Sequence, residues 1–120
     1  MRRPYYYLLE GKEIKGVSFD EYLKYASDEN ILLNKKIKRD IINGYLVSTV
    51  FLFIDHGVFE EKPVLFETMI FNMSNYTIVN YQERYSTYDE SLEGHERAIQ
   101  YVKNLKLDPD VKTESESKVD

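Results

Sequence analysis

The dipeptide Asn43-Gly44, set between KIKRDII and YLVSTVFLFI, constrains this chain more than any other feature. Both residues tolerate the positive φ that a two-residue type I′ turn demands, so the flanking runs are expected to pair as an antiparallel hairpin. The turn also sets the register. Ile42 should face Tyr45, Asp40 should face Val47, and Lys38 should face Thr49. One sheet face then receives Ile37, Arg39, Ile41, Leu46, Ser48, Val50, Leu52 and Ile54. The other receives Lys36, Lys38, Asp40, Ile42, Tyr45, Val47, Thr49, Phe51, Phe53 and Asp55. The first is the more aliphatic and the expected core face. The second is too aromatic to stand bare in water.

The segments around the hairpin complete an α+β plan. VLFETMIF supplies a third strand at about 64–71, Asn72–Tyr76 a turn, and Thr77–Tyr85 a fourth, more polar strand. Thr87 and Glu90 form a capping box ahead of a helix whose apolar stripe is Tyr88, Leu92, His95, Ile99 and Val102. Ser91, Gly94 and Ala98 flank that stripe with small side chains, which lets a helix lie close to a sheet. Upstream, Tyr5–Leu9 reads as a short strand followed by turns at Gly11 and Gly16. Ser18 with Glu21 caps a helix over about 19–27, while residues 30–36 fit a helical turn or a connector. The expected fold is a mainly antiparallel sheet of four or five strands. The C-terminal helix is expected on the Ile37/Ile41/Val50/Leu52/Ile54 face. The short N-terminal helix or a second copy of the chain would cover part of the other face. Residues 1–106 form one domain in this reading, and the acidic stretch 107–120 a disordered tail.

Composition narrows the function classes. Cys is absent, which excludes disulfides and thiolate chemistry. No apolar run approaches the roughly 18–20 residues of a membrane span. MRRPYYYLLEGKE lacks the long apolar segment of a secretory signal, so a cytoplasmic protein is expected. The net charge is −5, and the stretch from Lys106 onward sets five acids against three lysines. An acidic body argues against general nucleic-acid binding, which needs cations to displace counterions from phosphate. Lys35, Lys36, Lys38 and Arg39 form a local basic patch. Such a patch supports weak nucleic-acid contact or guards an edge strand against pairing with other chains.

The polar residues that stand out are Asp55, His56, Glu67, Glu83, Arg84 and His95. Asp55-His56 falls where a strand runs out. Glu67 interrupts an apolar strand and requires a partner, with Lys36, Lys38 or Arg84 as candidates. Glu83 and Tyr85 share one strand face. His95 lies within the helix stripe as a packing residue whose ring reaches an acceptor. His56, Glu67 and His95 are chemically suited to zinc, though nothing in their spacing requires it, and no cofactor or metal is expected. Eleven tyrosines exceed the usual share, and tyrosine is enriched at interfaces. Tyr5, Tyr7, Tyr45, Phe51 and Phe53 therefore join the polar set as interaction candidates. No phosphate-cradling glycine loop, nucleophile elbow or HExxH motif occurs.

The wording YYYLLEG, VSTVFLFIDH, LFETMIF and ERYSTYDESLEGHERAI, spanning about Tyr6 to Val102, resembles a group of small bacteriophage and prophage proteins. Their usual pattern has Gly-Leu where this chain has Phe53-Ile54, and Trp where it has Tyr88. The loop after Asp55-His56 is also shorter here. The resemblance implies a mobile-element origin and a host-cell cytoplasmic setting, and it carries over no catalytic residue. The leading expectation is an accessory protein acting by protein–protein contact on a host or defence component. One alternative is a small metal-dependent or acid–base enzyme using Asp55, His56, Glu67, Glu83 and His95. The other is weak nucleic-acid binding through Lys35–Arg39.

Overall fold

The computed structural model describes residues 3–27 and 35–105. The order is β1 (Tyr6–Glu10), β2 (Glu13–Val17), α1 (Phe19–Ala26), β3 (Lys36–Ile42), β4 (Tyr45–Phe51), β5 (Phe66–Asn72), β6 (Thr77–Tyr85) and α2 (Tyr88–Lys103). The fold is α+β. A four-stranded antiparallel sheet runs in the order β3-β4-β5-β6, and β1 pairs with β2 in a separate two-stranded sheet. EIKGV was expected as part of a turn; it is strand β2, antiparallel to β1 around Gly11. Most of the stretch 30–36 left open between helical turn and connector, and the tail expected to be disordered, lie outside the described residues.

The turn chemistry is as the sequence dictates. Asn43 and Gly44 take φ of 52° and 82°, and Ile42↔Tyr45, Asp40↔Val47 and Lys38↔Thr49 are the observed pairs. The register slips between Lys36 and Lys38, so that Lys36 pairs with Val50. That bulge exchanges the faces expected for Lys36 and Ile37, and Ile37 packs into the core. Both capping boxes form, Ser18 with Glu21 and Thr87 with Glu90.

The face chosen by α2 differs from the expectation. The helix lies on the Tyr45/Val47/Thr49/Phe51 side of the sheet, against Phe66, Thr68 and Ile70 of β5. Two apolar clusters fill that layer. Tyr45, Val47 and Ile70 meet Ala98, Ile99 and Val102 at one end. Phe51, Phe53, Leu65, Phe66 and Tyr85 gather with Tyr7 at the other, where Tyr22 and Tyr25 of α1 close over them. Two physical reasons favour this side. It carries the larger aromatic area, and burial scales with apolar area. It also supplies the hydroxyls that His95, centred in the helix stripe, requires once buried. Gly94 makes the approach possible, because a Cβ there would fall 1.9 Å from the Tyr85 hydroxyl. Ile41, expected in the core, is 68% exposed.

Candidate functional site

Behind α2, between the two apolar clusters, runs a line of polar side chains drawn from five elements, the four strands of the large sheet and α2 itself. Asp40 Oδ2 lies 2.7 Å from His95 Nε2, and His95 Nδ1 lies 2.7 Å from Thr49 Oγ1. Thr49 meets Thr68 at 2.5 Å, and the Tyr85 hydroxyl is 3.1 Å from Thr68. That hydroxyl also donates to Glu83 Oε1 at 2.7 Å, and Arg97 donates twice to the same oxygen. Thr49, Thr68 and His95 have no exposed surface. Burial pushes the Tyr85 phenol strongly upward, and its hydrogen bond to Glu83 adds to the shift. The line therefore begins and ends at half-exposed carboxylates and is sealed in the middle.

The two threonine hydroxyls each both donate and accept, so the line closes without an orphaned polar atom among the described residues. Asp40 holds the imidazole ring from one side and Thr49 from the other. Asp40, His95 and Thr49 have the residue types of a hydrolytic triad, yet Thr49 is inaccessible to any substrate. Their role is to specify how α2 sits on the sheet.

The remaining candidates are scattered. Asp55, expected where a strand runs out, is buried in a knot with the N-terminal segment. Its Oδ1 accepts from the backbone N–H groups of Gly57 and Val64 at 2.7 and 3.0 Å, and its Oδ2 from Arg3 Nε at 2.9 Å. Arg3 also donates to the carbonyls of Gly57, Glu60 and Glu61. Burial pushes the Asp55 carboxyl upward, but these backbone and guanidinium donors outweigh it and hold the group below its ordinary range. Glu67 pairs across strands with Arg84, one of the partners anticipated for it, at 2.9 Å and accepts from Gln82 at 2.6 Å. His56 is exposed beside a shallow, mixed-charge depression with Glu60, Glu61, Lys62 and Glu90. Of the five residues of the enzyme reading, only Glu83 and His95 share a network, and they meet only through Tyr85 and the two threonines. Among the described residues no three acids or histidines are placed to hold a metal ion. Tyr7, Tyr45, Phe51 and Phe53, considered as contact surface, are core residues at most 6% exposed, whereas Tyr5 stays largely exposed.

The surface left open is the opposite face of the four-stranded sheet, the one expected to be covered. Its side chains form a grid given by the strand register. Ile41, Leu46, Phe71 and Ile78 make one row across all four strands. Arg39, Ser48, Met69 and Gln82 make the next, and Lys36, Val50, Glu67 and Arg84 the third. A depression of about 790 Å³ lies over the β3–β5 part of this grid, bounded by Lys35 at one end and by Met73 and Tyr76 at the other. Tyr76 and Ile78 are 83% and 61% exposed. Among the described residues, no element of the chain packs over this face. Lys38, by contrast, points to the helix side and pairs with Glu96 at 3.3 Å. The basic patch is therefore split between the two faces. The sequence pattern did not identify this surface, because the more aliphatic face was assigned to the core. Its signal was the recurrence of apolar residues at alternate positions on every strand. Comparison of the chain with family models, with curated proteins and with solved structures finds no match.

Proposed function

We propose that this protein is a non-enzymatic binding module whose working surface is the uncovered face of β3-β4-β5-β6. The observation that carries the reading is the all-apolar row Ile41–Leu46–Phe71–Ile78, lying open on a sheet whose other face is fully packed. A sheet apolar on both faces is stable in water when both are covered, and exposed apolar patches rimmed by polar groups mark interaction sites. Met69 and Met73 add side chains that adapt to a partner's shape. The scattering of the acids and histidines removes the support for an acid–base or metal-dependent enzyme. The resemblance to bacteriophage proteins makes a host or defence protein inside a bacterial cell the natural target of such a module.

The test is a pull-down from bacterial lysate with the wild-type chain and with Ile78→Asp, a substitution on an exposed edge-strand position. A partner recovered by the first and lost by the second, with both proteins equally folded by circular dichroism, supports the reading. Recovery of the same partner by both, or of none by either, overturns it.

A further inference from the structure

We infer that the occupant of the open sheet face is an amphipathic helix of about three turns, with one apolar stripe and an acidic flank, supplied by another protein. This rests on the reading of that face as the working surface. The length follows from the row itself. Four strands place Ile41, Leu46, Phe71 and Ile78 across three inter-strand gaps, about 14 Å at roughly 4.8 Å each. A helix rising about 1.5 Å per residue covers that span in about ten residues, so apolar side chains at i, i+3, i+7 and i+10 match the row. The opposite face of these strands already takes a helix, α2, on the apolar residues Val47 and Ile70. A second helix on the open face would complete a three-layer sandwich.

The sign of that flank follows from the neighbouring rows. Arg39 lies one row from the apolar band, Lys36 lies two rows away, and Lys35 closes the depression at the edge, while Arg84 is paired with Glu67. The one acid of the grid, Glu67, is already engaged by Arg84 and Gln82. The face is thus basic on a chain whose net charge is −5. That contrast steers an acidic partner to this surface in preference to the rest of the molecule. A second copy of the chain offers these cations no acidic complement. A two-fold axis along the strands sets the cationic rows against each other, and one along the apolar row leaves them without an opposing acid of the grid. Nucleic acid is disfavoured because, among the described residues, Phe71 and Tyr76 are the only aromatics lining the depression, whose floor is Leu46, Val50 and Met69.

The experiment uses the full chain and fluorescence anisotropy with four probes. These are a synthetic helix with four leucines in the spacing above and a glutamate flank, the same helix with a lysine flank, a scrambled glutamate peptide, and a single-stranded oligothymidylate. The glutamate helix is expected to bind at least tenfold more tightly than the other three. Arg39→Glu, an exposed charge reversal, is expected to weaken it at least fivefold while strengthening the lysine helix, a reciprocal effect that misfolding cannot produce. Ile78→Asp should weaken both helices. Preference for the lysine helix or the oligonucleotide, lost in Ile78→Asp, overturns the partner chemistry and leaves the face standing. A concentration-dependent dimer by sedimentation, abolished by Ile78→Asp, overturns it in favour of self-association. Binding insensitive to Ile78→Asp, or no binding by any probe with a stable monomer, overturns the partner and the face together.

Discussion

Two residues show how locally unfavourable choices are held in place by their surroundings. Phe53 adopts φ of 66°, a left-handed conformation that costs a residue with a Cβ about 1–2 kcal/mol. Glycine at this position would carry no such strain. Phe53 compensates through its ring, which sits 4.8 Å from Phe51, 5.9 Å from Tyr25 and 6.4 Å from Tyr22. Losing a buried aromatic costs about 3–5 kcal/mol. Phe53→Gly is therefore expected to destabilise by about 1–3 kcal/mol in urea unfolding, less than Phe51→Ala at a site with no backbone strain to relieve. His95 is the second case. His95→Leu is expected to leave Asp40 and Thr49 without their shared partner and to cost about 1–3 kcal/mol in urea unfolding. An unchanged unfolding midpoint would refute the role of this ring in seating α2. The sequence placed His95 in the packing stripe correctly. It gave no direct view of the partners, because Thr49 and Thr68 come from strands nineteen positions apart. Two threonines embedded in VSTVF and FETMI were the available sign.

At the level of elements, α2 was the most legible and its docking the least. Capping box, stripe and small flank all follow from local spacing and all formed. The choice of sheet face depends on quantities summed over the whole layer, and both faces of the hairpin were apolar enough to serve. The bulge between Lys36 and Lys38 further shifted two residues that alternation alone had assigned. Gly94 provides a test of how close the docking is. Alanine is normally better than glycine within a helix by about 1 kcal/mol. Here the added methyl would collide with the Tyr85 ring, whose hydroxyl is tied to Glu83 and Thr68. Gly94→Ala is expected to lower stability by about 2–4 kcal/mol, opposite in sign to the helix propensity. If thermal unfolding shows the variant more stable than wild type, the close packing of α2 on Tyr85 is refuted.

Across the whole molecule, the Arg3–Asp55 knot and the bridge between Tyr6 and Ile54 join the small sheet to the large one. The Asp55 carboxyl is held below its ordinary value of 3.8 in the folded state. Its contribution to stability is therefore complete above that pH and is lost as pH falls through the depressed folded value. Arg3→Ala is expected to cost about 2–4 kcal/mol at neutral pH, with the difference from wild type shrinking below about pH 4. A difference that stays constant on acidification would show that the guanidinium acts through its carbonyl contacts alone. At alkaline pH the sign reverses. Burial raises the Tyr7, Tyr81 and Tyr85 phenols, so their tyrosinate absorbance should emerge at higher pH in the folded protein than in the unfolded chain.

The order of the strands has a consequence for how the chain folds in time. Each strand of β3-β4-β5-β6 pairs with its immediate successor, and α2 then closes over the sheet it follows. Such closures are short and fast, whereas Arg3 and Asp55 must meet across fifty-two positions. The large sheet should therefore act as a nucleus on which the N-terminal hairpin condenses late. Substitutions in the β3–β4 hairpin would slow refolding, and Arg3→Ala would chiefly accelerate unfolding.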